Sequence, residues 1–163
     1  MTRDNFSDDE IRAVLDSVKT IAMVGASAKD VRPSYFVLKY LLAKGYRVIP
    51  VNPGQAGKDI LGQKVHGALA DISEPIDMVD IFRSSEAAAK VVDEALALQP
   101  RPKVIWMQLG VRNDKAAAKA EAAGLRVIMN RCPKIEYGRL FGELSWAGVV
   151  SGIISSKRPK MQP

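Results

Sequence analysis

A three-layer α/β fold built on a mostly parallel sheet of five or six strands is what this sequence predicts. Two observations point to it. Short apolar runs at 21–24, 46–51, 78–82, 104–109 and 126–129 each have the length of a buried strand. Between them lie segments with apolar residues at helical spacing, closed by glycine or proline. A third observation sets the order. The first strand, the next helix and the second strand fit within about thirty residues, the size of a βαβ unit, whose crossover should be right-handed.

The elements follow in order. Ser7-Asp8-Asp9-Glu10 is a capping box, and Ile11, Val14, Leu15 and Val18 form the buried stripe of an N-terminal helix over 7–18. After the first strand come Gly25-Ala26-Ser27, then Lys29 and Arg32. Ser34 is expected to cap a helix burying Tyr35, Leu38, Leu41 and Leu42 and ending at Gly45. The second strand runs into the turn Asn52-Pro53-Gly54. The polar, glycine-rich stretch 55–64 reads as a loop that could cover a ligand, with Val65 in a short third strand. His66 reads as a solvated loop residue, and 68–77 as a loop. Ser84 or Ser85 caps a helix that buries Ala88, Val91, Val92 and Ala95. Asn113 caps an alanine-rich helix stopped by Gly124. Pro133 opens a short helix to Leu140. Trp106 is expected in the core, and Trp146 fits either core or ligand. The apolar segment 144–154 should cover one end of the core.

The 163 residues fit one domain over 1–163, with a core at about 20–140 and a C-terminal covering segment at 141–163. No apolar run approaches the roughly 18 residues that span a bilayer, and the polar, acidic start is unlike a signal peptide. A single cysteine suits a reducing cytoplasm. Net charge is +6, which favours an anionic partner. The cations are scattered and aromatics are only 6%, so a small phosphorylated ligand fits better than nucleic acid. Lys157-Arg158-Pro159-Lys160 reads as a solvated tail.

Parallel sheets bind ligands beyond the carboxyl ends of their strands, near the switch in strand order. Five segments leave those ends: Gly25-Ala26-Ser27, Asn52-Pro53-Gly54, Arg83-Ser84, Gly110-Val111-Arg112 and Asn130-Arg131-Cys132-Pro133. Glycine, proline, cations and the only cysteine gather there. The first turn has one glycine rather than G-x-G-x-x-G, and Asn52 stands where an acidic residue would hold the ribose of NAD. No glycine-lysine-serine/threonine run makes a P-loop. Lys29 and Arg32 suit a ligand with more phosphate charge than NAD, such as coenzyme A.

Gly25-Ala26-Ser27, Arg32-Pro33-Ser34-Tyr35, 45–53, Asp80-Ile81-Phe82-Arg83, 106–110 and Arg131-Cys132-Pro133-Lys134-Ile135-Glu136 resemble the small stand-alone CoA-binding proteins. Those are single Rossmann-like domains, similar to the CoA-binding domain of the succinyl-CoA synthetase alpha subunit. The resemblance runs from Thr20 to about Leu140. It implies coenzyme A across the carboxyl edge of the sheet. Gly25, Ala26 and Ser27 would touch phosphates through backbone groups, Lys29 and Arg32 would pair with phosphate, and Pro33 would lie beside them. Asn52 and Pro53 would border the adenosine. Phe82, Arg83, Leu109 and Gly110 would line the middle, and Asn130 and Cys132 the far side. Asn130 departs from an aspartate common in the family, and Tyr137 from a frequent histidine.

Cys132 could be a thiol activated by nearby cations or a helix N-terminus, but no His–Cys pair accompanies it. No metal-ligand cluster and no acid–base carboxylate pair is evident. The reading is a CoA- or acyl-CoA-binding module without catalysis, used for storage, sensing or delivery to a protein partner. Its alternatives are an NAD(P)-dependent oxidoreductase and a subunit of an acyl-CoA ligase.

Overall fold

The computed structural model describes residues 5–142. The segment 144–154 and the basic tail lie outside them. Helix α1 (Asp8–Ser17) begins where Ser7 Oγ accepts the Glu10 N–H at 3.1 Å. Its buried Ile11, Val14 and Leu15 carry the expected stripe. Strand β1 (Thr20–Val24) follows. Asp77 ties down its start, accepting the Lys19 and Thr20 N–H groups at 2.9 and 3.0 Å.

Helix α2 (Pro33–Ala43) starts two residues earlier than the serine cap implied. Arg32 is the cap residue, and Pro33 takes the first helical position, where its missing N–H costs nothing. Ser34 is inside the helix and buried. Tyr35 and Leu42, expected on the buried face, are only partly buried, and Val37 takes that place beside Leu38 and Leu41.

Strands β2 (Arg47–Val51), β5 (Met78–Ile81), β6 (Val104–Met107) and β7 (Arg126–Ile128) complete a five-stranded sheet with β1, in the order β2-β1-β5-β6-β7. All its pairings are parallel. Helices α3 (Ser85–Leu96) and α4 (Asp114–Ala122) pack against each other, while α5 (Pro133–Leu140) packs on α1 and α2. The sheet thus lies between two helical layers. Its core is drawn from every strand, with Trp106 fully buried and its indole N–H donating to the Arg131 carbonyl at 2.9 Å. Ser84, rather than Ser85, caps α3.

The stretch 55–64 is not a covering loop. Asn52 caps a short 3₁₀ turn, Pro53–Gln55, and a two-stranded hairpin follows, β3 (Asp59–Ile60) with β4 (Gln63–Lys64). Buried Ile60 and Val65 anchor it, so its polar residues are the solvated side of a small folded unit. His66 is half-buried instead of solvated. It bridges Val51 in parallel, donating its N–H to the Pro50 carbonyl and accepting from the Asn52 N–H. The hairpin therefore closes the β2 edge. A short 3₁₀ turn, Leu69–Asp71, interrupts the loop that follows.

Candidate functional site

The chain leaves β1 toward β2 on one side and reaches β5 on the other, so strand order reverses between β1 and β5. That is where an open α/β sheet leaves a crevice beyond its carboxyl ends. Gly25 follows β1 there with φ of +93°, a region that L side chains avoid. A Cβ at Gly25 would fall well inside contact distance of the Phe82 carbonyl oxygen and 3.1 Å from Arg83 Cδ. Glycine at this position lets the β1 turn lie directly against the end of β5.

Hydrogen bonds then fix the turn. The Gly25 N–H donates to the Val51 carbonyl at 2.9 Å. Buried Ser34 Oγ accepts the Ser27 N–H at 3.1 Å, and Ser27 Oγ accepts the Lys29 N–H at 3.1 Å. Asn52 Nδ2 donates to the Ala26 carbonyl at 2.8 Å while its Oδ1 accepts the Gly54 N–H at 2.9 Å. The backbone amides of Gly25 and Ser27 are thus engaged within the protein, and Asn52 acts as a brace between two turns.

A groove of about 570 Å³ opens over this turn. Gly25, Ser27, Lys29, Arg32, Pro33 and Ser34 form one wall, and Phe82, Arg83, Gln108, Leu109 and Val111 the other. Lys29, Arg32 and Arg83 make no side-chain hydrogen bond or ion pair among the described residues. Among the described residues no carboxylate, imidazole or thiol lines the groove. Its charge is therefore uncompensated and positive, and low-dielectric walls focus such a field. Leu109, on the opposite wall, is 58% exposed, an apolar surface left open. One end suits an anion and the other an uncharged chain.

A second cavity of about 200 Å³ lies between the ends of β1 and β2 and helix α3. Val24, Val51, Pro53 and Val91 give it apolar walls, and Lys90 and Glu94 its charges. Arg83 lines both cavities.

Of the residues singled out from sequence, Gly25, Ser27, Lys29, Arg32, Pro33, Phe82, Arg83 and Leu109 meet around the groove, and Pro53 lines the second cavity. Ala26, Asn52, Gly110, Asn130 and Cys132 line neither. Ala26 is fully buried beneath the turn. Asn130 sits at φ +57° and its Oδ1 accepts the Gly110 N–H at 2.7 Å, so it braces one loop against the next. Cys132 is buried at the start of α5. Arg131 is held by Glu136 at 3.6 Å and lies over the Phe6 ring. Tyr137 stacks on Phe141 and meets Tyr40 and Tyr46 edge-on, within the α2–α5 contact.

Sequence reasoning missed Ser34, Gln108 and Val111 as lining residues. Gln108 carried a signal, being the one polar residue in the run 104–109. A further group lies just beneath the site. Asp80 is fully buried in the middle of β5, between Met23 and Trp106 on the neighbouring strands. Neither of its carboxyl oxygens has a hydrogen-bond partner, and burial pushes its pKa well above the ordinary carboxyl range. Among the described residues no group of three His, Cys, Asp or Glu side chains could hold a metal ion, and no helix is long and apolar enough to cross a membrane.

A family model described as a CoA binding domain matches residues 19–138. The uncharacterized protein YneT of Bacillus subtilis (strain 168) is 38% identical over 133 residues, which is 82% of this chain and 96% of that protein. A Thermus thermophilus structure is 39% identical with a TM-score of 0.78, covering 83% of this chain and all of the other. A hypothetical protein from Pyrococcus horikoshii OT3 is 37% identical with a TM-score of 0.77, covering 86% and 99%. The dinucleotide-forming acetyl-coenzyme A synthetase 1 of Ca. Korarchaeum cryptofilum shares the fold at 22% identity and a TM-score of 0.57, over 69% of this chain and 26% of the synthetase.

Proposed function

The chain belongs to the CoA-binding-domain family, and from that premise we propose that its groove binds coenzyme A or an acyl-CoA as a module without catalytic machinery. The observation that carries this reading is the trio Lys29, Arg32 and Arg83, free of carboxylate partners among the described residues, in one groove that also presents the apolar side chains of Phe82, Leu109 and Val111. Coenzyme A has the matching halves. Its pyrophosphate and ribose phosphate are anions, and its thiol-ended arm is uncharged.

The residues divide accordingly. Lys29, Arg32 and Arg83 hold phosphate oxygens. Arg83 reaches both cavities, so the nucleotide end lies toward Pro53 and Lys90 and the arm toward Leu109. The arm's thiol or acyl group emerges over exposed Leu109, where a partner protein could take it. With neither carboxylate nor imidazole nor thiol in the described groove lining, the protein's part in this reading is to hold, present and release. One domain over 1–163 in a cytoplasmic setting completes the reading, with storage, sensing or delivery as its use and neither nucleic acid nor membrane as partner.

Titration calorimetry with coenzyme A and with NAD, in one buffer of fixed salt, tests it. Saturable binding of coenzyme A alone is expected. The double variant Lys29→Ala/Arg32→Ala should lose at least about tenfold in affinity, since charge-assisted hydrogen bonds contribute about 1.5–3 kcal/mol each. Its affinity should also depend less on salt. NAD binding tighter than coenzyme A would instead favour a nicotinamide-dependent oxidoreductase, and an unchanged double variant would refute the phosphate assignment.

A further inference from the structure

Gln108 is the one uncharged polar side chain in the groove that makes no hydrogen bond among the described residues. It is only 8% exposed, and its Oε1 is buried with no donor in reach. Its backbone is fixed. The N–H donates to the Ile81 carbonyl at 3.1 Å, and its carbonyl accepts the Val111 N–H at 2.7 Å. The side chain therefore cannot leave the groove by a backbone swing. A buried amide oxygen without a partner costs about 1–3 kcal/mol. Such groups are rare in native proteins and call for an explanation. A ligand that supplies the partner is one.

The position says what kind of partner. Gln108 follows β6, two strands from β1, hence about 10 Å across the sheet from the cationic turn. Phe82, Leu109 and Val111 beside it are apolar. A phosphate has no donor for Oε1. A group with both an N–H and a carbonyl, set beyond the phosphates on an uncharged chain, matches a side-chain amide at both of its ends. Rotation about the last side-chain bond exchanges Oε1 and Nε2, so either end can be turned to the groove.

Resting on the CoA reading above, we infer that Gln108 recognises an amide of the pantetheine arm, its Oε1 accepting the arm's N–H and its Nε2 donating to the arm's carbonyl. The groove thereby reads the arm as well as the charge. A ligand with the same phosphates and no arm leaves the Gln108 amide unpaired, so the residue sets specificity for the complete coenzyme.

Calorimetric titration of the wild type, Gln108→Met and Gln108→Leu with coenzyme A and with adenosine 3′,5′-bisphosphate, which lacks the arm and the phosphate that joins it, tests this. Either variant should bind coenzyme A about 3–30-fold more weakly and the bisphosphate as the wild type does, which also shows that the groove is folded. Should both variants fail to fold, the wild type is titrated with a coenzyme A analogue whose arm amides are esters, and a similar loss is expected. Unchanged coenzyme A affinity, equal weakening of both ligands, or an ester analogue that binds as well as coenzyme A would overturn the inference while leaving the CoA reading intact. A wild type that binds no coenzyme A would overturn both.

Discussion

Asp80→Asn should stabilise the protein at neutral pH and have little effect at pH 4. The carboxyl is fully buried, and both oxygens lack partners, so the folded chain strongly prefers its protonated form. Unfolded, the same group titrates near 3.8. Between those two pKa values the folded state holds a proton that the unfolded state has released. Stability from this group is complete below the unfolded value and is lost as pH rises toward the folded one. Each unit of separation costs about 1.4 kcal/mol. Asparagine has nearly the same shape and no proton to lose, so packing against Met23 and Trp106 is retained and the pH-linked loss disappears. Other groups, such as Glu74, whose pKa is lowered by the Arg47 side chain, act in the opposite sense but equally in both proteins. The difference between variant and wild type therefore isolates Asp80. At pH 7 the gain should exceed about 1.4 kcal/mol, or roughly 3–6 °C in melting temperature for a chain of this size. Thermal melts at pH 4, 5, 6 and 7 measure it. A difference that stays constant across that range would show that the folded carboxyl is ionised, and the argument from burial would fall.

Two further outcomes follow from the groove's construction. Gly25→Ala places a Cβ at φ +93° against the Phe82 backbone. It should cost at least about 2 kcal/mol from backbone strain and contact, and a melting temperature within 1 °C of wild type would contradict that approach of β1 to β5. Asn52→Ala removes the bonds to Ala26 and Gly54. It should cost about 1–2 kcal/mol and weaken ligand binding by loosening the turn, and unchanged urea denaturation would deny the brace.

The layers were legible because periodicity and burial agree wherever an element faces the core. The sheet's strands are apolar runs, and α1 and α3 bury the residues their spacing named. The errors lie where backbone bonding decides. Nothing in the spacing of 55–64 separates a loop from a hairpin when only Ile60 and Val65 anchor it. Ser34 has the chemistry of a cap, yet proline at the first helical position moved the start forward and gave its hydroxyl to the Ser27 amide. The strand ends were overestimated for the same reason. Phe82, Gln108 and Leu109 continue the strand runs in sequence but lie beyond the strand ends, where their side chains line the groove.

The strand-end side chains divide by what they do with their hydrogen bonds. Asn52 and Asn130 are alike in role though far apart in sequence. Each spends its side chain on a neighbouring loop, Asn52 on the Ala26 carbonyl and Asn130 on the Gly110 amide. That is why two residues expected at the ligand line neither cavity. The braces hold their loops, which leaves Lys29, Arg32, Arg83 and Gln108 free around one groove. The three cations are solvated and cost the free protein little, while the amide is buried and unpaired and costs it more. For stability alone an apolar residue would serve better at position 108. The presence of Gln108 beside a cationic turn outlines a ligand that is charged at β1 and β5 and neutral, but hydrogen-bonding, at β6.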